Sequence, residues 1–445
     1  MRERSDYVIP FFNDKYRFDK PAFIYWTQIA SYSLFGENDF AARFPSAVAA
    51  ALTAGLLYGW GRRAGGERTG WWAAIIFTLC LQVFIHAKAA VADMWLVFFV
   101  TAAHWAGYEL MADSLGRELF VVSGRRFAFW RIVFYVALGF GFLAKGPLAW
   151  LPLLTVVSTK LFLRGHSLTR RFWFVTGMLG AFAIVCTWGI PALIRTNGDF
   201  FRVGIGRHVV ERSFNVMEGH GANSWNTYLA AMPFYFLTVF ISFFPWSIKL
   251  PGLTKSLWRK RDATDKYLIS GILIVFVIMS LVKTKLPHYT LPAFPLLALL
   301  LARHLFEVGS ERFAKRAAIG AAGGALAAAF IAFPLLAPTF PSAQLYKLSR
   351  NDLLPDMDFA NIDYAEPSVV WYFRSRCHGF FRGLNPDQLE QFMNFPGPRF
   401  AIVPTPMAQA FSAKIHPDWK TYRAKGFTIV HGRPTDLTMI LKQSQ

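Results

Sequence analysis

Charge and cysteine are what this sequence has least of. Charged residues make up 17% of its 445 residues, against about 25% in an ordinary globular domain. Three cysteines, Cys80, Cys186 and Cys377, exclude a disulfide framework, and no Cys-x-x-Cys pair suggests a zinc site. Disorder and a collagen-like repeat are excluded too, because hydrophobic residues reach 54% and aromatics 17%. Acids are the scarcer sign: Lys+Arg 47 less Asp+Glu 27 gives +20. In a soluble chain that excess suggests nucleic acid. In a membrane chain the first question is on which side it lies.

Apolar runs are what the sequence has most of. A span needs about 20 apolar residues. Ten stretches qualify: 40–62, 70–87, 92–112, 128–144, 147–163, 172–194, 227–250, 267–283, 288–304 and 315–338. Only Lys145-Gly146-Pro147 parts the fourth from the fifth, and only Lys283 to Pro287 the eighth from the ninth, which predicts antiparallel pairs. The connections fall into two sets. One holds Arg62, Arg63 and Arg68, then Arg117, Arg125 and Arg126, then Arg164, Arg170 and Arg171, then Lys255, Arg259, Lys260 and Arg261, then Arg303, Arg312, Lys315 and Arg316. The short loops of the other set hold little that is basic besides Lys88, Lys145, Lys283 and Lys285. The positive-inside rule makes the first set cytoplasmic. The net charge is then topogenic, and no nucleic-acid partner is needed.

The expected fold class is an α-helical polytopic membrane protein of about ten helices with a small α/β domain outside the membrane. Residues 1–39 form an external loop with an interfacial helix, 40–339 the membrane domain and 340–445 the external domain. In the last, Asn385-Pro386-Asp387 reads as a helix start, and Phe400 to Val403, Phe427 to Val430 and Leu437 to Leu441 as strands. Residues 1–39 carry Arg2, Arg4, Lys15, Arg17 and Lys20 and lack the apolar core of a signal peptide, yet the alternation puts them outside. That combination predicts a further membrane helix before Met1.

The same alternation gathers costly polar groups on the outer face. Phe18-Asp19-Lys20-Pro21 opens an aromatic-rich stretch, Ala22 to Phe35, suited to lying along the interface. Asp93 begins the third span, Lys145 ends the fourth, and Lys283, Lys285, His288 and Tyr289 stand before the ninth. The loop 195–226 adds His208 and Arg212, which share a helix face, and Glu218 and His220, whose spacing matches no strong metal pattern. Each group alone has a plain reading: lysines snorkel, and Asp93 is placed to cap its helix. Together they offer carboxylates, Asp19 and Asp93, for base catalysis or a divalent metal, and cations for a phosphate. A lipid with a phosphorylated head group suits both the apolar walls and the basic groups.

At these residues the chain resembles the integral-membrane glycosyltransferases of the GT-C class, in particular the aminoarabinose transferase family that modifies lipid A, related to protein O-mannosyltransferases. The matching pieces stand in family order: Asp6-Tyr7-Val8-Ile9-Pro10, Phe18-Asp19-Lys20-Pro21, Phe40-Ala41-Ala42-Arg43-Phe44-Pro45-Ser46, Ala92-Asp93-Met94, Phe142-Leu143-Ala144-Lys145-Gly146-Pro147, Phe244-Pro245-Trp246 and Lys285-Leu286-Pro287-His288-Tyr289. The resemblance implies inverting transfer of a sugar from a polyprenyl-phosphate donor to a lipid, glycan or protein acceptor on the outer side of a bacterial-type inner membrane. It implies Asp93 and Asp19 as catalytic acids, with Asp19 also at a divalent metal. Asp19 stands where the family has Glu, one methylene longer. Lys20, Lys145, His208, Arg212, Lys285 and Tyr289 are implied to hold the donor phosphate. The family's principal catalytic Asp, in an Asp-Glu pair on the first external loop, has no counterpart in Asp6 or Asp14; it is expected upstream of Met1. Two other functions fit the same composition. A transporter would show internal repeats and midplane charges, where here no clear repeat is seen and the polar groups cluster at one face. A protein that binds polyprenyl phosphate without chemistry would keep the cations alone.

Overall fold

The computed structural model describes residues 1–111, 124–162, 171–211, 225–309, 311–364, 366–428 and 432–443. The chain divides into two compact units. One comprises Met1–Pro10 and Tyr16–Gly323, the other Phe11–Lys15 and Gly324–Gln445.

The first unit is helical. Its opening helices are α1 (Phe23–Phe35), α2 (Asp39–Gly65), α3 (Glu67–Thr78), α4 (Leu81–Ala87) and α5 (Asp93–Leu110). They are followed by α6 (Gly124–Lys145), α7 (Leu151–Phe162), α8 (Phe174–Arg195), α9 (Phe234–Ser242), α10 (Leu250–Arg259), α11 (Ala263–Leu281) and α12 (Phe294–Val308). The 27 residues of α2 extend about 40 Å, longer than the ~30 Å hydrocarbon core. Its ends are marked in sequence: the Asn38 side chain accepts from the Ala41 amide, Asp39 lies in the first turn, and Arg62 and Arg63 in the last.

Among the described residues six helical runs are long and apolar enough to cross a membrane, or up to eight if each of two bent pairs is one span. The sequence led to ten. The segment 128–144 and most of 147–163 fall within one such run, Phe127–Leu161, and most of the stretch at 92–112 is α5, which carries Asp93, His104 and Glu109 and is not among the six. The Phe127–Leu161 run doubles back inside itself. Lys145 (φ −150°, ψ 23°) and Gly146 (φ +75°) leave helical geometry, and a Cβ on Gly141 would lie 2.8 Å from the Cβ of Ala149. Eight residues of continuous helix would separate those positions by about 12 Å. The Lys145-Gly146 turn therefore does reverse the chain.

The two bent pairs explain each other. The path turns by 67° between α3 and α4 and by 113° between Asn226–Ser242 and Trp246–Arg259. Backbone groups freed by a break have no water to bond inside a bilayer. Here Leu81 N–H donates to the Phe244 carbonyl at 3.0 Å, and the Cys80 thiol to the Ser242 carbonyl at 3.0 Å. A backbone donor freed at one break, and the thiol beside it, satisfy carbonyls at the other.

A second polar network ties four helices at the end of the unit remote from Asp93. Arg63 pairs with the buried carboxylate of Glu109 through two nitrogens. Asp262 and Asp265 form a capping box that starts α11. Arg303 on α12 donates to Asp265 at 2.9 Å, to Asp262 at 2.5 Å and to the Ala64 carbonyl. His304 Nε2 lies 3.1 Å from Asp265. Pro287–Val308, which contains α12, is mostly buried inside the unit, so this network ties the most enclosed of the candidate spans to its neighbours.

The second unit holds a five-stranded mixed sheet. Its strands are β1 (Asp358–Asn361), β2 (Phe381–Gly383), β3 (Arg399–Pro404), β4 (Lys420–Thr428) and β5 (Arg433–Lys442), in the order β2-β1-β3-β5-β4. β1 runs parallel to β2 and β3, while β5 is antiparallel to β3 and β4. Alternate residues serve opposite faces: Phe400 and Ile402 join one buried cluster, Ala401 and Val403 another. The Asn13 side chain, from the short segment in this unit, exchanges two hydrogen bonds with the Phe381 backbone at 2.6 and 2.7 Å. The expected small α/β domain is present: the strands read at Phe400–Val403 and Leu437–Leu441 lie inside β3 and β5, whereas the one read at Phe427–Val430 meets only the end of β4, which begins seven residues earlier at Lys420. Val430 falls outside the described residues. The helix start at Asn385 is a capping box with Gln388.

Asp265 has a side chain 2% exposed and serves Arg303, His304 and a helix start at once. Removing one partner of a buried charge pair costs about 3–5 kcal/mol. Asp265→Ala is expected to lower the thermal unfolding midpoint in detergent, and Asp265→Asn, which keeps the cap, to lower it less. Equal stability of all three proteins would contradict the anchoring role.

Candidate active site

Asp93 is the first residue of α5 and Lys145 the last of α6. Lys145 Nζ donates to Asp93 Oδ1 at 2.5 Å, with side chains 11% and 12% exposed. The placement suits both charges, because a carboxylate is favoured at a helix N-terminus and an ammonium at a C-terminus. It also corrects one expectation. The N-cap position is Ala92, and no side chain caps α5, so Asp93 does not serve its own helix end as a cap. The strand of chain before it is steadied by Ser46, whose hydroxyl donates to the Val91 carbonyl at 3.0 Å.

Around this pair lies a cavity of about 920 Å³. Phe18, Asp19, Lys20, Asp93, Lys145, His288 and Tyr289 line its polar side, and Trp150, Leu154, Trp188 and Phe200 are among its many apolar neighbours. Ligand pockets commonly run from about 300 to 1,000 Å³ with few polar groups. A second, apolar groove of about 380 Å³ shares Leu154 and Ile278 with it and continues past Val157, Leu161 and Val277, between α7 and α11.

Five of the eight residues singled out from sequence, Asp19, Lys20, Asp93, Lys145 and Tyr289, thus meet at one cavity. Three do not. Lys285 is committed elsewhere: its ammonium donates to the carbonyls of Met279 (3.2 Å), Ser280 (2.5 Å) and Val282 (2.6 Å), closing the end of α11. Burial lowers its pKa to about 8, and it is not among the cavity-lining residues. With its protons spent on carbonyls, Lys285 is a helix-end cap and is removed from the phosphate-binding set. Arg212 lies outside the described residues, as do Glu218 and His220, and the side chain of His208 does too.

Asp19 accepts from Arg17 Nε at 3.0 Å. Among the described residues one group of three metal-capable side chains is drawn together, His86, Asp93 and His288, and Asp19 is not part of it. His86, on α4, escaped the sequence reading because it sits in no motif. Only its place seven residues before Asp93, across a helix break, hinted at it.

Residues 19–190 match the family described as dolichyl-phosphate-mannose-protein mannosyltransferase. The undecaprenyl phosphate-alpha-4-amino-4-deoxy-L-arabinose arabinosyl transferase of Erwinia tasmaniensis is 30% identical over 335 residues, 74% of this chain and 57% of that protein. Its counterpart 2 from Sodalis glossinidius is 30% identical over 326 residues, 70% and 54% of the two chains. The chain thus spans a little over half the length of the curated relatives it matches. The crystal structure of ArnT from Cupriavidus metallidurans bound to undecaprenyl phosphate superposes with a TM-score of 0.73 at 18% identity, over 98% of this chain and 91% of that one.

The fold is that of the GT-C class of multi-pass membrane glycosyltransferases, as the sequence motifs led one to expect. Within that class the chain is a relative of the aminoarabinosyl transferases and of the protein O-mannosyltransferases.

Replacing Asp93 by Asn would leave the Lys145 ammonium buried without its counter-charge. Asp93→Asn is expected to cost about 3–5 kcal/mol of stability. Adding Lys145→Met should restore much of it, since an apolar side chain of similar length needs no partner. Thermal unfolding in detergent measures both, and a double variant no more stable than the single one would contradict the pairing.

Proposed function

We propose that the chain is a glycosyltransferase that moves a sugar from a polyprenyl-phosphate donor to a lipid, glycan or protein acceptor on the outer side of a bacterial inner membrane. One observation carries this reading: a large apolar cavity has Lys20 and Lys145 beside two carboxylates at its polar side. The apolar groove shared through Leu154 and Ile278 offers a path for a prenyl chain. The relatives are named for an undecaprenyl-phosphate sugar donor, and the superposed ArnT structure holds undecaprenyl phosphate.

The chemistry sets two demands. The acceptor must lose a proton as it attacks the sugar carbon, and the departing phosphate must be stabilised as its charge grows. Lys20 and Lys145 meet the second demand as charge-assisted donors. For the first, the cavity offers Asp19 and Asp93. Asp93 holds Lys145 through Oδ1, so it positions one cation while its carboxylate still faces the cavity. Orientation is supported by the charge pattern. α5 is about 27 Å long, with Asp93 at its start and Glu109, paired with Arg63, at its far end. The cavity's acids thus stand opposite the basic loops that the positive-inside rule assigns to the cytoplasm.

Loss of a charge-assisted contact costs about 1.5–3 kcal/mol, or about 10- to 100-fold in affinity. Lys20→Ala and Lys145→Ala are each expected to weaken polyprenyl-phosphate binding by that factor. With a polyprenyl-phosphate-linked sugar and an acceptor, the wild-type protein should yield glycosylated acceptor by mass spectrometry. Unchanged affinity in both variants would contradict this site.

A further inference from the structure

We propose that His86, Asp93 and His288 form a binding site for a divalent transition-metal ion of the zinc type at the polar side of the cavity. The three side chains come from separate places in the chain: α4, the start of α5, and the turn after Pro287. One ligand atom of each lies within 4.8 Å of the others. Zinc binds imidazole nitrogen at about 2.0–2.1 Å and carboxylate oxygen at about 2.0–2.2 Å. Two ligands of one ion therefore stand at most about 4.3 Å apart, and side-chain shifts of about an ångström close the cluster. The two imidazoles already approach, with ring centroids 5.1 Å apart at 40°.

The surroundings suit a ligand set. His86 Nδ1 lies 3.0 Å from both the Gln82 main-chain carbonyl, which can only accept, and the Gln82 side-chain nitrogen. In the tautomer that donates Nδ1–H to the carbonyl, Nε2 presents its lone pair. A ring N–H donating to a carbonyl is the usual support of a metal-bound histidine. Asp93 spends Oδ1 on Lys145, and a carboxylate has a second oxygen to give. Two imidazoles and a carboxylate favour zinc-like ions over calcium or magnesium, which take oxygen ligands. Lys145, and Lys20 in the cavity wall, are the cations that oppose such an ion, so Asp93 must bridge between ion and ammonium. Three protein ligands leave a fourth position open, as in catalytic zinc sites. Asp93 and His288 line the cavity, so that position faces it. Filling it with a phosphate oxygen of the donor rests on the function proposed above; binding of the ion does not.

The test uses the purified full chain in detergent, stripped with a chelator and titrated with Zn²⁺ or Co²⁺. The expected result is one ion per chain by elemental analysis, with a Co²⁺ visible spectrum typical of low coordination number. Losing an outer-shell partner of a metal site costs about 10- to 100-fold in affinity. His86→Ala and His288→Ala, which remove ligands, should each cost at least about tenfold. Gel filtration shows whether each variant is folded, and the wild-type Co²⁺ spectrum reads the site without any variant. No ion retained by the wild type would overturn the proposal. So would full binding in both histidine variants, or binding lost in Asp19→Asn and kept in them. Polyprenyl-phosphate affinity is measured separately with the lysine variants, so a failed metal titration leaves the donor reading standing.

Discussion

The Asp93–Lys145 pair is the contact on which the rest of the site depends. Two charges withdrawn from water are costly unless geometry holds them, and here it does. One sits at the start of α5, the other at the end of α6, and both helix dipoles favour the arrangement. The chain turns back immediately after Lys145 at Gly146, whose φ of +75° a side chain would strain. The ion pair, the helix ends and the reversal are one device. It sets a fixed cation at the polar side of a largely apolar cavity, an arrangement suited to the phosphorylated lipid proposed above.

The membrane unit manages its polar groups by sending them to opposite ends. At one end Arg63, Glu109, Asp262, Asp265, Arg303 and His304 close on one another and tie α2, α5, α11 and α12. At the other, charges line a cavity. Between them the polar breaks at Cys80 and Phe244 pair with each other. The closed network stabilises the bundle, and the open one is available for a ligand.

Much of this was legible in the sequence, for particular reasons. α2 announced itself by length, an Asn cap and terminal arginines. Lys20, Asp93, Lys145 and Tyr289 stood out because ionisable groups at membrane depth are expensive and the loop charges said which face they shared. Short apolar runs at Phe400–Val403 and Leu437–Leu441 marked the middle of one strand and the last half of another, Arg399–Pro404 and Arg433–Lys442. Other features depended on the third dimension. Lys285 looks like an anion ligand until three carbonyls are found around its ammonium. Asp93 looks like a helix cap until Lys145 is placed beside it. His86 belongs to no motif, and only folding of the α3–α4 break brings it to His288. The strands Asp358–Asn361 and Phe381–Gly383 are too short for a pattern to emerge.

The central claim, that this cavity holds a polyprenyl phosphate by its lysines, is tested most directly by an experimental structure of the chain with that lipid. The phosphate is expected within hydrogen-bonding distance of Lys20 and Lys145, with the prenyl chain leaving past Leu154 and Ile278. A phosphate bound at the Arg63–Arg303 end, or a cavity left empty while lipid binds elsewhere, would contradict the account.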